Sequence, residues 1–531
     1  MSGQSESDAD LREEAMLEDL LDPSHLPVPT TTTALKTTHI SRVILADRDV
    51  FKLKRAKDYG FLDYRTLEAR RRFAEAEVRL NRRTAPDVYL DVLPIYHDEQ
   101  GYAMNRPGEI VDWAVHMKRL PDACSARALL REGALSTRHQ EAMARLLARF
   151  FREAEPVASW APMFFESVDE NFAQTVDFAP DVISKELLDA VVRGQRRALG
   201  ALRGAIETRP GRDGHGDLRL EHVYFLGDAE PVIIDCIEFN ERFRWADPGL
   251  DLAFLAMDFH REGRGDMAEE ILALAAFEMD DVDFFPLIDL YQSYRAFVRG
   301  KVAGFVSRDP VAPDTVARGK RNEAAGYFEL ARSLLDGPGT PPRLVCVGGV
   351  IGAGKTTVAK SLAAGGKAVH LAADAIRKHL AGVGHDESAP AEAYSEEFTE
   401  KVQAELLRRA RVVLEARRSV VLDTTFCAAS LRRRARDLAM ELSAPFRFFE
   451  CRAPEAVLRE RLRARRGGLS DAREDLLPRF LEAWETEDGL EISQKTVVDT
   501  TRPVEDLRDL ARRFWGAVPG SEPPFSRDRR H

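Results

Sequence analysis

The sequence predicts two domains in succession: an α+β domain over residues 36–335 and an α/β domain with a parallel sheet over residues 343–515. The chain has 531 residues, too many for one hydrophobic core. Residues 336–342, Asp-Gly-Pro-Gly-Thr-Pro-Pro, indicate a linker because proline and glycine disfavour helix and strand. After residue 343, apolar runs alternate with helical segments, which is typical of a parallel sheet covered on both faces.

The composition is that of a globular protein: 44% apolar and 31% charged residues. No run approaches the roughly 18 apolar residues of a membrane span, and the acidic N-terminus lacks a signal-peptide core. The five cysteines show no C-x-x-C spacing, so we expect reduced thiols in a cytoplasmic protein. The net charge of −11 argues against bulk nucleic-acid binding but allows a local basic groove.

Both ends of the chain are expected to be flexible. Residues 1–35 are acidic and end in a proline-rich stretch, with at most one short helix over 11–21. Residues 516–531 are rich in proline, serine and arginine.

Two aspartates define a candidate site in the first domain. Asp217 lies in Gly214-His-Gly-Asp-Leu218, and Asp235 ends the apolar strand 231–235. Phosphate transfer from a nucleotide to a hydroxyl needs one carboxylate at the acceptor and another on Mg²⁺. Each motif taken alone is more simply a turn, but their order and spacing favour a site.

A lysine and a glutamate upstream complete this set. The alternating strand 50–54 offers Lys52, or alternatively Lys54, to the α/β-phosphates, and the helical stretch 71–80 offers Glu75 or Glu77 as the partner of that lysine. A single lysine here would more simply belong to a strand edge.

The second domain is predicted to contain five strands with helices between them. The strands are 344–347, 368–372, 419–423, 446–450 and 496–499, and the helices after the first are 395–417, 431–442 and 455–465. Ligands of such sheets lie beyond the carboxyl ends of the strands.

The first strand of this domain leads into a phosphate-binding loop. Gly349-Val-Ile-Gly-Ala-Gly-Lys355-Thr356 fits G-x-x-x-x-G-K-[ST] without a mismatch, between a strand and a helix. Lys355 would reach the β/γ-phosphates, and the Thr356 hydroxyl would bind Mg²⁺. Backbone N–H groups would surround the phosphates at the helix N-terminus; the predicted contributors are Gly349, Gly352, Ala353, Gly354, Lys355, Thr356 and Thr357. The alternative is a strand-to-helix turn without a ligand.

Acids follow the next two strands. Asp374 comes directly after the second strand and shares a helix face with Arg377, so the carboxylate could take a proton from an attacking hydroxyl while the arginine holds a phosphate. The alternative for Asp374 is a helix N-cap. Asp423 ends the third strand and would act on Mg²⁺, unless it is only a turn residue.

An arginine-rich helix follows the fourth strand. Arg459, Arg463 and Arg466 share one face, and Gly467-Gly468 follow. This arrangement suits a lid that closes over phosphates, although a solvated charged helix is the alternative.

With these motifs, residues 343–512 resemble the P-loop kinases of the polynucleotide kinase, gluconate kinase and zeta-toxin type. The matching residues are the loop 349–356, Asp374 with Arg377, Asp423 and the arginine lid. The resemblance implies that Asp374 is the general base.

Residues 38–335 resemble the aminoglycoside phosphotransferases, which have a protein-kinase-like fold. The resemblance rests on Val50-Phe-Lys-Leu-Lys54, the Glu75/Glu77 helix, the segments 215–218 and 234–239, and Asp247-Pro-Gly-Leu-Asp-Leu-Ala253. It implies Asp217 as catalytic base, Asp235 as Mg²⁺ ligand and Lys52 as phosphate lysine. The sequence departs from the family at His222, where the pattern has asparagine, and residues 41–49 contain no glycine-rich loop.

The whole chain resembles fused proteins that join an aminoglycoside-phosphotransferase-like half to an ATP-binding half. The resemblance implies a phosphotransferase that uses ATP and Mg²⁺ and has two kinase-type domains. The alternatives are a first half that only binds or regulates, and a second half that is an ATPase switch. A switch needs no acceptor base, so Asp374 argues against it. The acceptor, a small molecule or a nucleic-acid end carrying a hydroxyl, and the oligomeric state are not fixed by the sequence.

Overall fold

The computed structural model of the chain describes residues 2–38, 40–58, 62–227, 230–310, 312–465, 469–486 and 489–516. By packing, the chain forms two compact units: Met1–Ser167 with Pro210–Asp258, and Val168–Arg209 with Phe259–His531. The second unit therefore contains helices from both sides of the predicted linker. The domain boundaries expected from sequence stay a prediction.

The strands are numbered here in chain order. They are β1 Ala34–Thr37, β2 Ser41–Leu45, β3 Asp49–Lys54, β4 Tyr89–Asp98, β5 Gly101–Ala103, β6 Glu109–Lys118, β7 Pro156–Val157, β8 Gly211–Asp213, β9 Val223–Tyr224, β10 Val232–Ile233, β11 Trp245–Ala246, β12 Leu344–Gly348, β13 Val369–Ala372, β14 Val420–Asp423, β15 Phe446–Arg452 and β16 Lys495–Asp499.

The α-helices are numbered in the same way. They are α1 Ser2–Leu20, α2 Leu67–Asn81, α3 Ala126–Arg131, α4 Thr137–Glu153, α5 Trp160–Thr175, α6 Lys185–Thr208, α7 Pro248–Arg261, α8 Gly265–Met279, α9 Phe285–Ser307, α10 Asp314–Leu334, α11 Lys355–Gly366, α12 Ala373–Leu380, α13 Glu396–Glu415, α14 Ala429–Glu441, α15 Glu455–Ala464, α16 Leu477–Glu482 and α17 Val504–Gly516.

The first unit is built on an antiparallel sheet in the order β1-β2-β3-β6-β4-β5. Helix α2 follows β3 and packs on β6 and β4; its N-cap Thr66 accepts a hydrogen bond from the N–H of Ala69. Strand β3 is central and alternates, so Lys52 and Lys54 project from the same face of the sheet. This antiparallel sheet with α2 packed on it confirms the α+β, kinase-like fold predicted for the first half.

The prediction of a flexible tail over residues 1–35 is wrong for its later part. Met16, Leu17 and Leu20 of α1 and Leu26 after it are buried in the core cluster that contains Phe51 of β3. These apolar side chains recur at helical spacing within an otherwise acidic segment, and burial against the sheet stabilises the helix.

The second unit contains a five-stranded parallel sheet in the order β13-β14-β12-β15-β16. Strand β12 is buried over its whole length, as expected where helices cover both faces. Val345 and Val347 pack with Phe449 of β15 and with α11 and α17, through Val358 and Phe514. The α/β prediction for the second half is therefore confirmed, including all five strands.

Helices α8 and α9 of the same unit lie against this parallel-sheet domain through ion pairs. Arg418, which precedes β14, is 5% exposed and contacts Glu269 of α8 at 3.0 Å and Asp289 of α9 at 2.6 Å. Arg409 of α13 contacts Asp280, which terminates α8 in a left-handed conformation. The two halves of the sequence thus share a charged, largely buried contact.

We expect Arg418→Ala to destabilise this contact because two carboxylates lose their buried partner. Loss of one partner of a buried ion pair costs about 3 kcal/mol or more. The matched control is Arg411→Ala, because the pair of Arg411 with Glu441 is exposed and screened by solvent, so its loss should change stability little. Urea unfolding of both variants followed by circular dichroism measures the difference, and equal midpoints would contradict a structural role for Arg418.

None of the described helices is long and apolar enough to cross a membrane. The cysteines Cys124, Cys236, Cys346, Cys427 and Cys451 are all free thiols, as the spacing predicted.

Candidate active sites

The phosphate-binding loop connects β12 to α11, as predicted, and requires glycine. Gly349 has φ 146°, and a Cβ there would lie 2.6 Å from the carbonyl oxygen of Cys451. Gly354 has φ 78° and is the N-cap of α11. Residues with side chains rarely adopt these backbone angles, so the loop closes tightly around the helix N-terminus.

The backbone N–H groups of this loop divide into two sets. Those of Gly349, Ala353 and Thr357 donate to Thr425, Val350 and Gly354 within the protein. In the part of the chain that the structure describes, no backbone carbonyl accepts from the N–H groups of Gly352, Gly354, Lys355 and Thr356. Four amides at a helix N-terminus form a site for an anion such as a phosphate. These four N–H groups can bind a phosphate without first breaking a hydrogen bond inside the protein, whereas the other three predicted donors cannot.

Lys355 and the acid Asp423 lie beside these amides. The Lys355 Nζ donates to the carbonyl oxygen of Val350 at 3.0 Å, so the ammonium lies over its own loop. Asp423 is 5% exposed at the end of β14. Burial opposes its ionisation, but hydrogen bonding from His370, together with Lys355 and Thr356, holds its pKa below the usual value. An ionised acid next to a threonine hydroxyl is a donor set that suits Mg²⁺.

Asp374 lies in the first turn of α12, but it is not the N-cap, which is Ala372. Burial raises the pKa of Asp374, opposed by a hydrogen bond from Ser470 and by the positive charge of Lys355. A carboxylate whose pKa is raised toward neutrality accepts a proton more readily than an ordinary aspartate does. The structure therefore places this acid at the phosphate loop and does not support the capping alternative.

Arg377 shares the helix with Asp374 but contacts other groups. Its guanidinium lies 4.9 Å from the ring centre of Tyr394, donates to Ala393 O and lies 3.3 Å from Thr399 Oγ1. The guanidinium thus contacts the segment that leads into α13 and also interacts electrostatically with Asp374. Its role as a phosphate ligand stays a prediction.

The arginine helix α15 also differs from expectation. Arg459 and Arg463 share a face, as predicted, but both pair with Glu474, at 3.4 and 2.6 Å. Arg461, which the face argument omitted, donates to the Gly352 carbonyl at 3.4 Å and to the Thr500 carbonyl at 2.6 Å. The arginine of this helix at the phosphate loop is thus Arg461. Arg466 and Gly467-Gly468, the predicted hinge, lie outside the described residues.

His370 of β13 links Asp423 to helix α8. The Nε2 atom of His370 lies 3.3 Å from Asp423 Oδ2, and its ring stacks on Phe277 of α8 with centroids 5.5 Å apart. Sequence inspection missed His370 because an isolated histidine in an apolar strand carries no pattern.

The site of the first unit brings together two lysines and three acids. Lys52 Nζ lies 2.8 Å from Glu77 Oε1 and 2.7 Å from Asp235 Oδ1. Lys54 Nζ lies 2.6 Å from Glu77 Oε2 and also contacts Glu238. Burial lowers the pKa of Lys52, but the charges of Asp235 and Glu77 outweigh this effect and raise it. Of the two lysines considered as phosphate ligands, Lys52 contacts Asp235, which supports Lys52 over Lys54.

The partner of the lysines is Glu77 and not Glu75. Glu77 is fully buried, whereas Glu75 lies on the exposed face of α2 and pairs with Arg71 at 2.8 Å. The prediction of Glu75 as a nucleotide-site residue is therefore wrong, and of the two glutamates Glu77 is the partner. Two residues along a helix change the face by about 200°, and only one of the two glutamates faces β3.

The loop with Asp217 is positioned by a buried aspartate. Asp251 accepts hydrogen bonds from the N–H groups of His215, at 2.7 Å, and Gly216, at 2.9 Å. His215 Nε2 donates to the Ile234 carbonyl, and burial together with His222 lowers the pKa of His215 to about 3. His215 is thus a neutral structural residue, and Asp251 is the acid of the segment 247–253 that holds the loop.

Asp217 and Asp235 converge with His222. Asp235 has φ 66° and its N–H lies 3.1 Å from Tyr89 Oη. Such backbone strain in a residue other than glycine is typical of functional sites. One carboxylate oxygen of each aspartate and a ring nitrogen of His222 lie within 4.8 Å of one another.

Comparisons with known proteins agree with this architecture. Residues 344–485 match the model of a family described as an AAA domain. An uncharacterised protein of Mycobacterium tuberculosis, Rv2004c, is 32% identical over 454 residues, 82% of this chain and 87% of the relative. The chain belongs to the family of this protein. A protein of Mycobacterium bovis, Mb2027c, matches with the same identity and coverage and is also uncharacterised.

Two solved structures are similar to parts of the chain. A sugar kinase from Janibacter sp. covers 34% of this chain and 98% of its own, with 24% identity and a TM-score of 0.27. A choline/ethanolamine kinase family protein from Mesorhizobium loti covers 58% and 92%, with 13% identity and a TM-score of 0.36. Likenesses at this level do not bear on the substrate.

Proposed function

We propose that the chain is an ATP- and Mg²⁺-dependent phosphotransferase that transfers the γ-phosphate to a hydroxyl acceptor. The observation that carries the proposal is the combination, in the second unit, of a phosphate loop with four available N–H groups and an aspartate of raised pKa beside Lys355. A nucleotide switch would need the first feature but not the second. The acceptor would be a small molecule or the hydroxyl end of a nucleic acid.

The residues at the loop fit the nucleotide and the ion. Only glycine fits at the start of the loop, because a Cβ at Gly349 would lie 2.6 Å from the carbonyl oxygen of Cys451. Thr356 and Asp423 offer the hard oxygen ligands that Mg²⁺ prefers. When bound, Mg²⁺·ATP would supply the transferable phosphoryl group and neutralise part of its charge.

Each residue of the chain then has a defined task. The N–H groups of the loop and Lys355 hold the phosphates, and Asp374 accepts the proton of the acceptor hydroxyl. Arg461 ties α15 to Gly352 and to Thr500, at the end of β16, and so closes one side of the loop.

We extend the proposal to the first unit, with Asp217 as base, Asp235 as metal ligand and Lys52 as phosphate lysine. The lysine–glutamate pair of Lys52 and Glu77 is the arrangement that kinase-like sites use to orient a lysine toward nucleotide phosphates. Burial of such an ion pair costs desolvation free energy, and a domain with a purely structural role would not need the pair.

A second candidate is that the first unit binds or regulates without turnover. The supporting observation is the β2–β3 hairpin, whose turn carries Asp47 where a kinase would place a glycine-rich loop over the phosphates. Asp47 accepts hydrogen bonds from the N–H and hydroxyl groups of Thr31, at 2.7 and 2.9 Å, and from Thr32. A fixed carboxylate there would repel a triphosphate.

A screen of hydroxyl acceptors with ATP radiolabelled on the γ-phosphate tests the proposal. The full-length chain is required, because the second unit includes helices on both sides of the linker 336–342. We expect at least one acceptor to become labelled in a Mg²⁺-dependent reaction. Hydrolysis of ATP that no acceptor stimulates would favour the switch instead.

Silencing one site at a time assigns the activity to a unit. In Lys355→Ala, any labelling that remains is expected to come from the first unit and to disappear on adding Asp217→Asn. A base contributes about 10²–10⁴-fold, so the loss is measurable. If Asp217→Asn alone changes labelling of no acceptor, the first unit is the silent partner.

A further inference from the structure

The group Asp217, His222 and Asp235 is the one set of three metal-ligating side chains of this kind among the residues that the structure describes. It differs from a purely acidic magnesium site because one donor is an imidazole. The orientation of that ring gives the site its chemical character.

Hydrogen bonding fixes which ring nitrogen of His222 is available. Nδ1 lies 2.8 Å from the backbone carbonyl oxygen of Asp217, which can only accept, so Nδ1 donates this hydrogen bond. Nε2 is then the ring nitrogen that can offer a lone pair to a cation, and it lies 3.6 Å from Asp235 Oδ2 and 3.9 Å from Glu221 Oε1. His222 is 8% exposed, and no described residue makes a hydrogen bond to Nε2. A cation between this nitrogen and the carboxylate oxygens would be bound by both kinds of donor.

The charges around the cluster do not cancel, so the binding of a cation would be electrostatically favourable. Lys52 occupies Oδ1 of Asp235, and the other oxygen faces His222. Lys52 and Lys54 are matched by Glu77 and Glu238. The two aspartates therefore contribute an uncompensated negative charge at the imidazole.

We propose that this cluster binds a divalent first-row transition metal ion in preference to Mg²⁺, with His222 Nε2 as a direct ligand. Magnesium takes oxygen ligands and has little affinity for imidazole, whereas manganese, cobalt and zinc accept nitrogen and carboxylate donors together. An ion bound at about 2.1 Å from each donor keeps its ligands within about 4.2 Å of one another, so small carboxylate rotations close the observed set. The proposal does not depend on phosphoryl transfer by either unit.

Manganese is the probe that tests this inference, because its unpaired electrons report coupled nitrogen nuclei. Full-length, nucleotide-free protein is titrated with Mn²⁺ and studied by electron spin-echo envelope modulation. We expect one bound ion with the nitrogen modulation of a coordinated imidazole. Competition should show a preference for Mn²⁺ over Mg²⁺ of on the order of 10-fold or more.

Three variants identify the ligand. His222→Asn keeps an N–H that can donate to the Asp217 carbonyl but removes the ring, so the nitrogen modulation should vanish and the preference over Mg²⁺ should fall. His379→Asn is the matched control, since His379 also lies beside a carboxylate, 2.6 Å from Asp280. Thr356→Ala controls for ion binding at the phosphate loop. Both controls should keep the full signal.

The inference is overturned if the unmodified protein shows no nitrogen modulation, or if the modulation survives in His222→Asn. It is equally overturned if equimolar Mg²⁺ displaces Mn²⁺. Thermal unfolding of His222→Asn close to that of the parent protein establishes that loss of the signal reports loss of the ligand and not of the fold. A destabilised His222→Asn is replaced by His222→Gln, to which the same outcomes apply.

Discussion

Replacement of Lys355 by alanine is expected to lower ATP turnover by on the order of 10²-fold or more, because the transferring phosphoryl group loses a positioned positive charge. The ammonium lies over the loop through its bond to Val350 O, next to the four available N–H groups. Steady-state release of phosphate from ATP by the full-length protein measures the effect without knowledge of the acceptor.

The matched control is Lys360→Ala, an exposed lysine on the same helix α11. It removes the same charge from the protein and should leave turnover unchanged. If the two variants lose activity equally, the effect of Lys355 is one of net charge or of helix stability. If neither does, the activity resides elsewhere in the chain, and the first unit becomes the candidate.

The fold of the second domain could be predicted from the sequence because both patterns that indicate it are local. Short apolar runs separated by helices predict a parallel sheet, and acids at the ends of such runs must meet at one edge of it. Asp423 at the end of β14 and Asp374 directly after β13 lie there, with Lys355.

The sequence predicted less well those residues whose role depends on which face of a helix packs against the rest of the fold. Glu75 and Glu77 are both plausible on α2, and only packing of the helix against the sheet buries Glu77. In α15, Arg459 and Arg463 lie one turn apart and so share a face, but this spacing does not predict which face of the helix meets the phosphate loop. In the structure it is Arg461 that contacts the loop. A helix pattern gives periodicity but not the neighbour on each side.

Contacts between distant segments were outside the reach of sequence patterns. His370 becomes relevant only because β13 places it beside Asp423 and because α8 brings Phe277 onto its ring. The same holds for α1, whose few apolar residues in an acidic segment suggested a flexible tail until the sheet provided a surface for them.

Asp374→Asn is expected to reduce transfer to an acceptor by about 10²–10⁴-fold, because the amide cannot accept the proton of the hydroxyl. Asparagine is nearly isosteric and uncharged, so it avoids the desolvation that raises the pKa of the aspartate. Thermal stability should therefore be retained or slightly increased. Nucleotide affinity should also be retained, since the phosphates are held by the loop amides and Lys355.

This combination separates a base from a structural residue. Labelling of the acceptor, binding of a fluorescent ATP analogue and thermal unfolding are measured on the same preparation, with Asp386→Asn, an exposed carboxylate beyond α12, as the control. A parallel loss of stability and activity would return Asp374 to a structural role in the first turn of α12. Full transfer by Asp374→Asn would show that Asp374 is not the base of the reaction, because the amide cannot accept the proton of the acceptor hydroxyl. Asp374 would then have no part in the chemistry, although the chain would still be a phosphotransferase.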